Sequence, residues 1–353
     1  MKILYGVQGT GNGHTARARA MALALKQRNA DVDFIFSGRE KSKFFSMEAF
    51  GDFSVCRGLT FITEQGRVNY WKTIRDNSLI HLYKEIKQLD LSGYDLVIND
   101  FEPVTAWAAK LQKVPCIGIS HQNAFRYQVP KKGDGWIDNR LIHHFAPADI
   151  YLGLHWYHFN QPILPPIVHT RYVDSMPGKL GFHLVYLPFE SMQDITDLLL
   201  RFSSHQFVCY HPNIIKTEIV ENIRLEPLSH SDFQRDLHLC QGVIANGGFE
   251  LPSESLALGK KLLLKPLAGQ FEQESNVATL EYLGLAQSME HLDPTAVRTW
   301  LDEKQAESIN YPDVASHLVE WVLNGQWDPS TTQPLWESLW EKVDFPSYAS
   351  IHD

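Results

Sequence analysis

The stretch GVIANGGFELPSESLALGKKLLLKPLAGQFEQESNVA, Gly242 to Ala278, decides how the chain is read. An apolar run, Val243 to Ala245, opens into a loop carrying Gly247 and Gly248, and a polar helix start follows. A second apolar run, Leu262 to Leu264, leads through another loop to Gln270, Glu272, Gln273 and Asn276. Strand, helix, strand, helix is the order of an open α/β sheet, where ligands sit beyond the carboxyl ends of the strands. The polar residues directly after each strand are therefore the candidate ligand contacts.

The same pattern opens the chain. Ile3 to Val7 has strand length, Gln8 to His14 reads QGTGNGH, and Ala16, Ala20, Leu23 and Ala24 then recur at helical spacing. The alternating Gly9, Gly11 and Gly13 depart from the dinucleotide fingerprint, because His14 stands where its third glycine belongs. A plain β-to-α turn would use such glycines too, but they also let a ligand reach the backbone N–H groups of a helix start. His14 stands at that opening. Further on, Tyr94 to Asn99 is a strand leading to Asp100, and Pro103 suits the first turn of the next helix. Asp100 reads either as a helix cap or as a second candidate base beside His14. Cys116 to Ser120, another strand, opens onto His121, so three polar strand ends converge on one side of a sheet.

Composition narrows the classes. With 353 residues the chain suits two domains, and its net charge of −9 argues against general nucleic-acid binding, which needs a basic surface. Four scattered cysteines without a Cys-x-x-Cys pair point to a reducing compartment and no structural zinc. Asp31 and Asp33 form an Asp-x-Asp at the start of a strand, where solvation explains them better than a metal does. No apolar run reaches the roughly 18 residues of a membrane span. An apolar stripe of Trp71, Ile74, Leu79, Leu82 and Ile86, interleaved with lysines and arginines, reads as an amphipathic core helix; a peripheral membrane contact is the other reading.

A proline-rich connector, Asn160 to Ile167, divides the chain. The expected organisation is an acceptor-side Rossmann-like domain over 1–160, a linker over 161–181, and a second Rossmann-like domain over 182–330. A terminal helix over 331–353, with Trp336, Leu339, Trp340 and Val343 at helical spacing, is expected to cross back to the first domain. The fold class is α/β, two doubly wound domains facing a cleft.

Four segments carry a resemblance: Gly9 to His14, Ser120 to Asn123, Asn246 to Glu254, and Gly269 to Asn276. Together they resemble the GT-B glycosyltransferases, in particular the branch of the peptidoglycan N-acetylglucosaminyltransferase and the plastid galactolipid synthases (family 28-like). The resemblance implies donor contacts from Asn246, Gly247 and Gly248 at the diphosphate, Glu254 at the ribose, and Gln270, Glu272, Gln273 and Asn276 around the transferred sugar. It implies His14 as general base of the acceptor side, where Gly11, Gly13 and His121 also lie. The sequence departs from the family pattern at Asn246 and near Glu250, where many relatives carry histidine or hydroxyl residues.

The expected activity is an inverting hexosyl transfer from a nucleotide diphosphate sugar, UDP-linked, to a carbohydrate or lipid-linked hydroxyl. A helix N-terminus would meet the diphosphate charge, so no cofactor and no obligatory metal are expected. The location expected is cytoplasmic, with peripheral contact at the inner membrane face left open. Two alternatives are a nucleotide-sugar 2-epimerase on the same fold and a non-catalytic nucleotide-sugar-binding protein. Acceptor recognition is expected in the loops around Arg57 to Arg75 and Phe125 to Arg140.

Overall fold

The computed structural model describes residues 1–59, 63–64, 67–68, 79–133, 140, 142–168 and 181–351. Trp71 and Ile74 of the amphipathic stripe, much of both acceptor loops, and 169–180 of the linker lie outside the described residues.

The amino-terminal half alternates strands and helices. Its elements begin with β1 (Lys2–Gln8), α1 (Asn12–Gln27), β2 (Asp31–Ser37) and β3 (Ser54–Cys56), then a two-residue ladder of β4 (Thr63–Glu64) and β5 (Arg67–Val68). They continue with α2 (Leu79–Gln88), β6 (Leu96–Asp100), α3 (Pro103–Gln112), β7 (Cys116–Ser120), β8 (Ile150–Leu154) and β9 (Ile163–Leu164). The sheet order is β3-β2-β1-β6-β7-β8-β9, with parallel pairing from edge to edge. Central strands such as β6 are buried along their whole length, as strands covered on both faces should be. On α2, Ile86 is buried, whereas Leu79, Ile80 and Tyr83 are exposed.

The second half repeats the plan. It comprises β10 (Phe182–Tyr186), α4 (Met192–Leu199), β11 (Gln206–Tyr210), β12 (Glu218–Val220), β13 (Ile223–Glu226), α5 (His230–Leu239) and β14 (Gly242–Asn246). There follow α6 (Glu250–Ala257), β15 (Lys261–Lys265), α7 (Phe271–Tyr282), β16 (Gln287–Ser288) and α8 (Pro294–Asp302). The order β12-β13-β11-β10-β14-β15-β16 is parallel except at β12, which pairs antiparallel with β13. Each sheet reverses its winding once, at β1/β6 and at β10/β14, and a crevice opens at each reversal. Gly11 to His14 and Asp100 lie at the first crevice, and Asn246 to Gly248 at the second.

Two carboxy-terminal helices tie the halves together. α9 (Val314–Asn324) buries Leu318, Val319 and Val322 and packs on α1 of the first half. α10 (Pro329–Trp340) reaches the edge of the first sheet, where Trp340 Nε1 donates to the Ile163 carbonyl at 2.6 Å. Among the described residues, no helix is long and apolar enough to cross a membrane.

Candidate active site

On the amino-terminal wall, β1 ends at Gln8 and the Gly9 N–H bonds the Ser37 carbonyl at 2.6 Å, turning the chain into α1. His14 is in the first turn of that helix and Arg17 is one turn further, on the same face. Asp100 closes the neighbouring β6, directly opposite Val7 of β1. The His14 Nδ1–H donates to Asp100 Oδ1 at 2.8 Å. Arg17 grips the same carboxylate twice, Nε to Oδ2 at 2.8 Å and Nη2 to Oδ1 at 2.7 Å. Burial pushes the Asp100 carboxyl up, but the charge of Arg17 and the hydrogen bonds from His14 and Arg17 outweigh it and hold the group below its ordinary range.

Asp100 is not the cap of the next helix. Phe101 takes a positive φ of 51°, which turns the chain, and Glu102 becomes the cap, accepting from the N–H groups of Val104 and Thr105 at 2.8 and 2.7 Å. Asp100 is left free for the His14–Arg17 pair.

Arg17 also bonds Glu250 of α6, across the cleft. One guanidinium here serves two carboxyls. Asp100 takes the bidentate pair and stays ionised, while burial pushes the Glu250 carboxyl up to about 8 despite the pull of Arg17.

The carboxy-terminal wall is built mostly of amides and backbone. A Cβ on Gly247 would stand 2.8 Å from the Gln273 carbonyl and from a methyl of Val277, so only glycine lets α7 pack this closely. Gly248 has open space around it. The Gly247 and Gly248 N–H groups, expected to face a diphosphate, bond the Lys265 and Asn246 carbonyls at 3.2 and 2.9 Å. The N–H groups left for an anion at this end are those in the first turn of α6, Glu250 and Leu251, since Pro252 has none. Asn246 donates to the Lys265 carbonyl at 3.0 Å, and its buried Oδ1 has no partner.

Glu254, one turn into α6, accepts from Gln234 Nε2 at 2.9 Å, and burial raises its carboxyl above the ordinary range. It lines a cavity of about 130 Å³ shared with Asn12, Gly13, Tyr186, Phe233 and Gln234, so residues of both halves meet around one space. Glu272 accepts from Gln122 Nε2 at 3.0 Å. Gln270 stands at the start of α7, its buried Oε1 without a partner.

Three expected contacts are placed differently. Gln273 points away from Glu272, its Oε1 accepting from the Leu267 N–H at 2.9 Å, because neighbours on a helix diverge by about 100°. Asn276 is engaged twice, Nδ2 to the Gly247 carbonyl at 3.0 Å and Oδ1 to His121 Nε2 at 2.6 Å. His121 is fully buried, bonded also to the Leu154 carbonyl at 2.8 Å and stacked on Phe249 at 3.9 Å. It is a joint between the halves rather than an open wall of the cleft, and the next residue, Gln122, faces His14 instead. Gly11 has open space around it, and a Cβ on Gly13 would stand 3.1 Å from Glu250 Cγ.

Arg17, Gln122, Gln234 and Glu250 join the site without having been selected from sequence. Helical spacing from His14 could have found Arg17. The other three depend on how distant segments meet.

The comparisons with known proteins agree with this architecture. The model of "Glycosyl transferase family 1" matches residues 1–304. The crystal structure of the glycotransferase of kitacinnamycin aligns with 14% identity and a TM-score of 0.58, covering 97% of this chain and 94% of that one. The spinosyn rhamnosyltransferase SpnG complexed with thymidine diphosphate aligns at 13% identity and TM-score 0.54, over 98% and 97% of the two chains. MurG of Acinetobacter baumannii aligns at 14% and 0.50, over 97% and 100%. A search of curated proteins finds no match. At such identities the structural likenesses establish the two-domain GT-B fold, and the family match establishes the rest: the chain belongs to glycosyl transferase family 1 and is a glycosyltransferase.

Proposed function

We propose that the protein is an inverting, metal-independent transferase that moves a hexose from a UDP-linked donor to a hydroxyl of a carbohydrate or lipid-linked acceptor. The observation that carries this reading is the opposition of two walls: the His14–Asp100 pair at 2.8 Å on one, and Glu254 and Glu272 on the other. In the reaction the acceptor oxygen attacks the anomeric carbon while the bond from that carbon to the diphosphate oxygen breaks. The bonding pair leaves with the nucleoside diphosphate, and the hydroxyl proton passes to His14 Nε2. One such displacement inverts the anomeric carbon. Asp100, kept ionised by Arg17, holds the Nδ1–H and leaves Nε2 as the basic nitrogen.

Glu254 can accept from two ribose hydroxyls, and Glu272 from hydroxyls of the sugar. The first turn of α6 supplies N–H groups and a partial positive charge for the diphosphate, which supports a metal-free reaction. The motifs Ser120 to Asn123 and Gly269 to Asn276 support placing the chain near the peptidoglycan and galactolipid branch of the fold. The free thiols Cys56, Cys116, Cys209 and Cys240 support a cytoplasmic site of action, with a lipid-linked acceptor bringing the protein to the inner membrane face.

The test is a thermal-shift screen of UDP-, GDP- and TDP-sugars, followed by turnover of the stabilising donor in wild type and His14→Ala. Stabilisation by a UDP-sugar and turnover lost in His14→Ala support the reading. Isomerisation of the donor without any acceptor would replace it with the 2-epimerase, and no stabilisation by any donor would remove it.

A further inference from the structure

The segment after β7 is a tight turn whose backbone is held from several sides. Asn123 bonds Ser120 Oγ through its N–H at 3.2 Å and the Gly118 carbonyl through its side chain at 3.0 Å. Gly153 of β8 lies so close beneath that a Cβ there would stand 2.7 Å from Ala124 Cα. The turn therefore delivers the Gln122 side chain to a defined place, 6% exposed, between the two walls of the cleft.

The orientation of that amide follows from its neighbour. Glu272, as a carboxylate, can only accept, so the group 3.0 Å from it is the NH₂ of Gln122. The same nitrogen lies 3.5 Å from His14 Nε2, the nitrogen left without a proton when Nδ1–H bonds Asp100. Gln122 Oε1 is buried and has no partner. A buried amide oxygen without a hydrogen bond costs about 1–3 kcal/mol, and a substrate hydroxyl would supply the missing donor.

We propose that Gln122 is a positioning residue for the transfer: it fixes Glu272 for the donor sugar and offers Oε1 to a hydroxyl of the bound substrates beside His14. The proposal rests on the reading of the cleft as a nucleotide-sugar site. It ties the acid that grips the sugar to the base that takes the acceptor proton through one neutral side chain. It also gives the turn after β7 a role that the buried His121 does not have.

The experiment is calorimetric titration of UDP, and of UDP-glucose, UDP-galactose and UDP-N-acetylglucosamine, into wild type, Gln122→Ala, Gln122→Glu and Gln122→Asn, each first checked by thermal melting. UDP lacks the sugar, so its affinity should stay within about 2-fold in all variants. For the UDP-sugar that wild type binds best, Gln122→Ala should lose about 10-fold, the equivalent of one hydrogen bond. Gln122→Glu should lose more, since it sets a second carboxylate against Glu272, and Gln122→Asn should recover part of the loss. Gln122→Ala binding that sugar as wild type does, or losing UDP affinity equally, overturns the proposal alone. A wild type that binds none of these nucleotides overturns the reading of the cleft, and the proposal with it.

Discussion

The two walls of the cleft are made of different materials. The amino-terminal wall is a charged cluster, His14, Asp100 and Arg17, with Asp100 fully buried and bonded on both oxygens. The carboxy-terminal wall sets Glu250, Glu254 and Glu272 among amides, glycines and a helix end, and its amides are already engaged: Gln273 with Leu267, and Asn276 with Gly247 and with His121 of the other half. A group that must hold one protonation state benefits from fixed neighbouring charges. A group that must receive a ligand needs bonds it can exchange at small cost, and neutral hydrogen bonds, each worth about 1 kcal/mol net, are of that kind. The base side is therefore preorganised, and the donor side is left to rearrange.

The severest way to break this contrast is Arg17→Met. It leaves Asp100 buried without its guanidinium, and should cost about 3–5 kcal/mol in denaturant unfolding. A loss below about 1 kcal/mol would mean that the charged cluster is not what organises that wall. Next in size, His14→Ala should lower turnover by about 10² to 10⁴ while UDP affinity stays within 2-fold or so, because the base touches only the acceptor side. Equal losses in binding and turnover would erase the division of labour between the walls.

The last effect concerns Glu250, the acid of the second wall bonded to Arg17 of the first. Its folded pKa lies above its ordinary 4.5, at about 8, so its contribution to stability is fully present below about 4.5 and is lost as pH rises through about 8. Wild type should thus lose stability relative to Glu250→Gln as pH rises from about 5 to 9, read as diverging melting temperatures. Divergence in the other sense would mean that Glu250 stays ionised beside Arg17.

Local signals in the sequence carried most of the fold. Apolar runs of strand length, glycine loops and helical spacing all act within a few residues, and they place His14 at its opening and Gly247 at its turn. Helix geometry alone would also have separated Glu272 from Gln273, since adjacent helical residues cannot share one face. The cap was harder: Asp100 and Glu102 both precede Pro103, and the positive φ at Phe101 decides between them. What was not legible is how the halves meet. Arg17 with Glu250, His121 with Asn276, and Gln122 with Glu272 pair residues far apart in the chain, and no local pattern in either partner announces the other.

The central claim is that the second wall holds a nucleoside diphosphate through Glu254. It is tested most directly by calorimetric titration of UDP into wild type and Glu254→Ala. Saturable one-to-one binding by wild type, weakened about 10-fold or more in Glu254→Ala with folding unchanged, is the predicted result. Absence of binding in wild type, or equal affinity in the two proteins, would contradict the account.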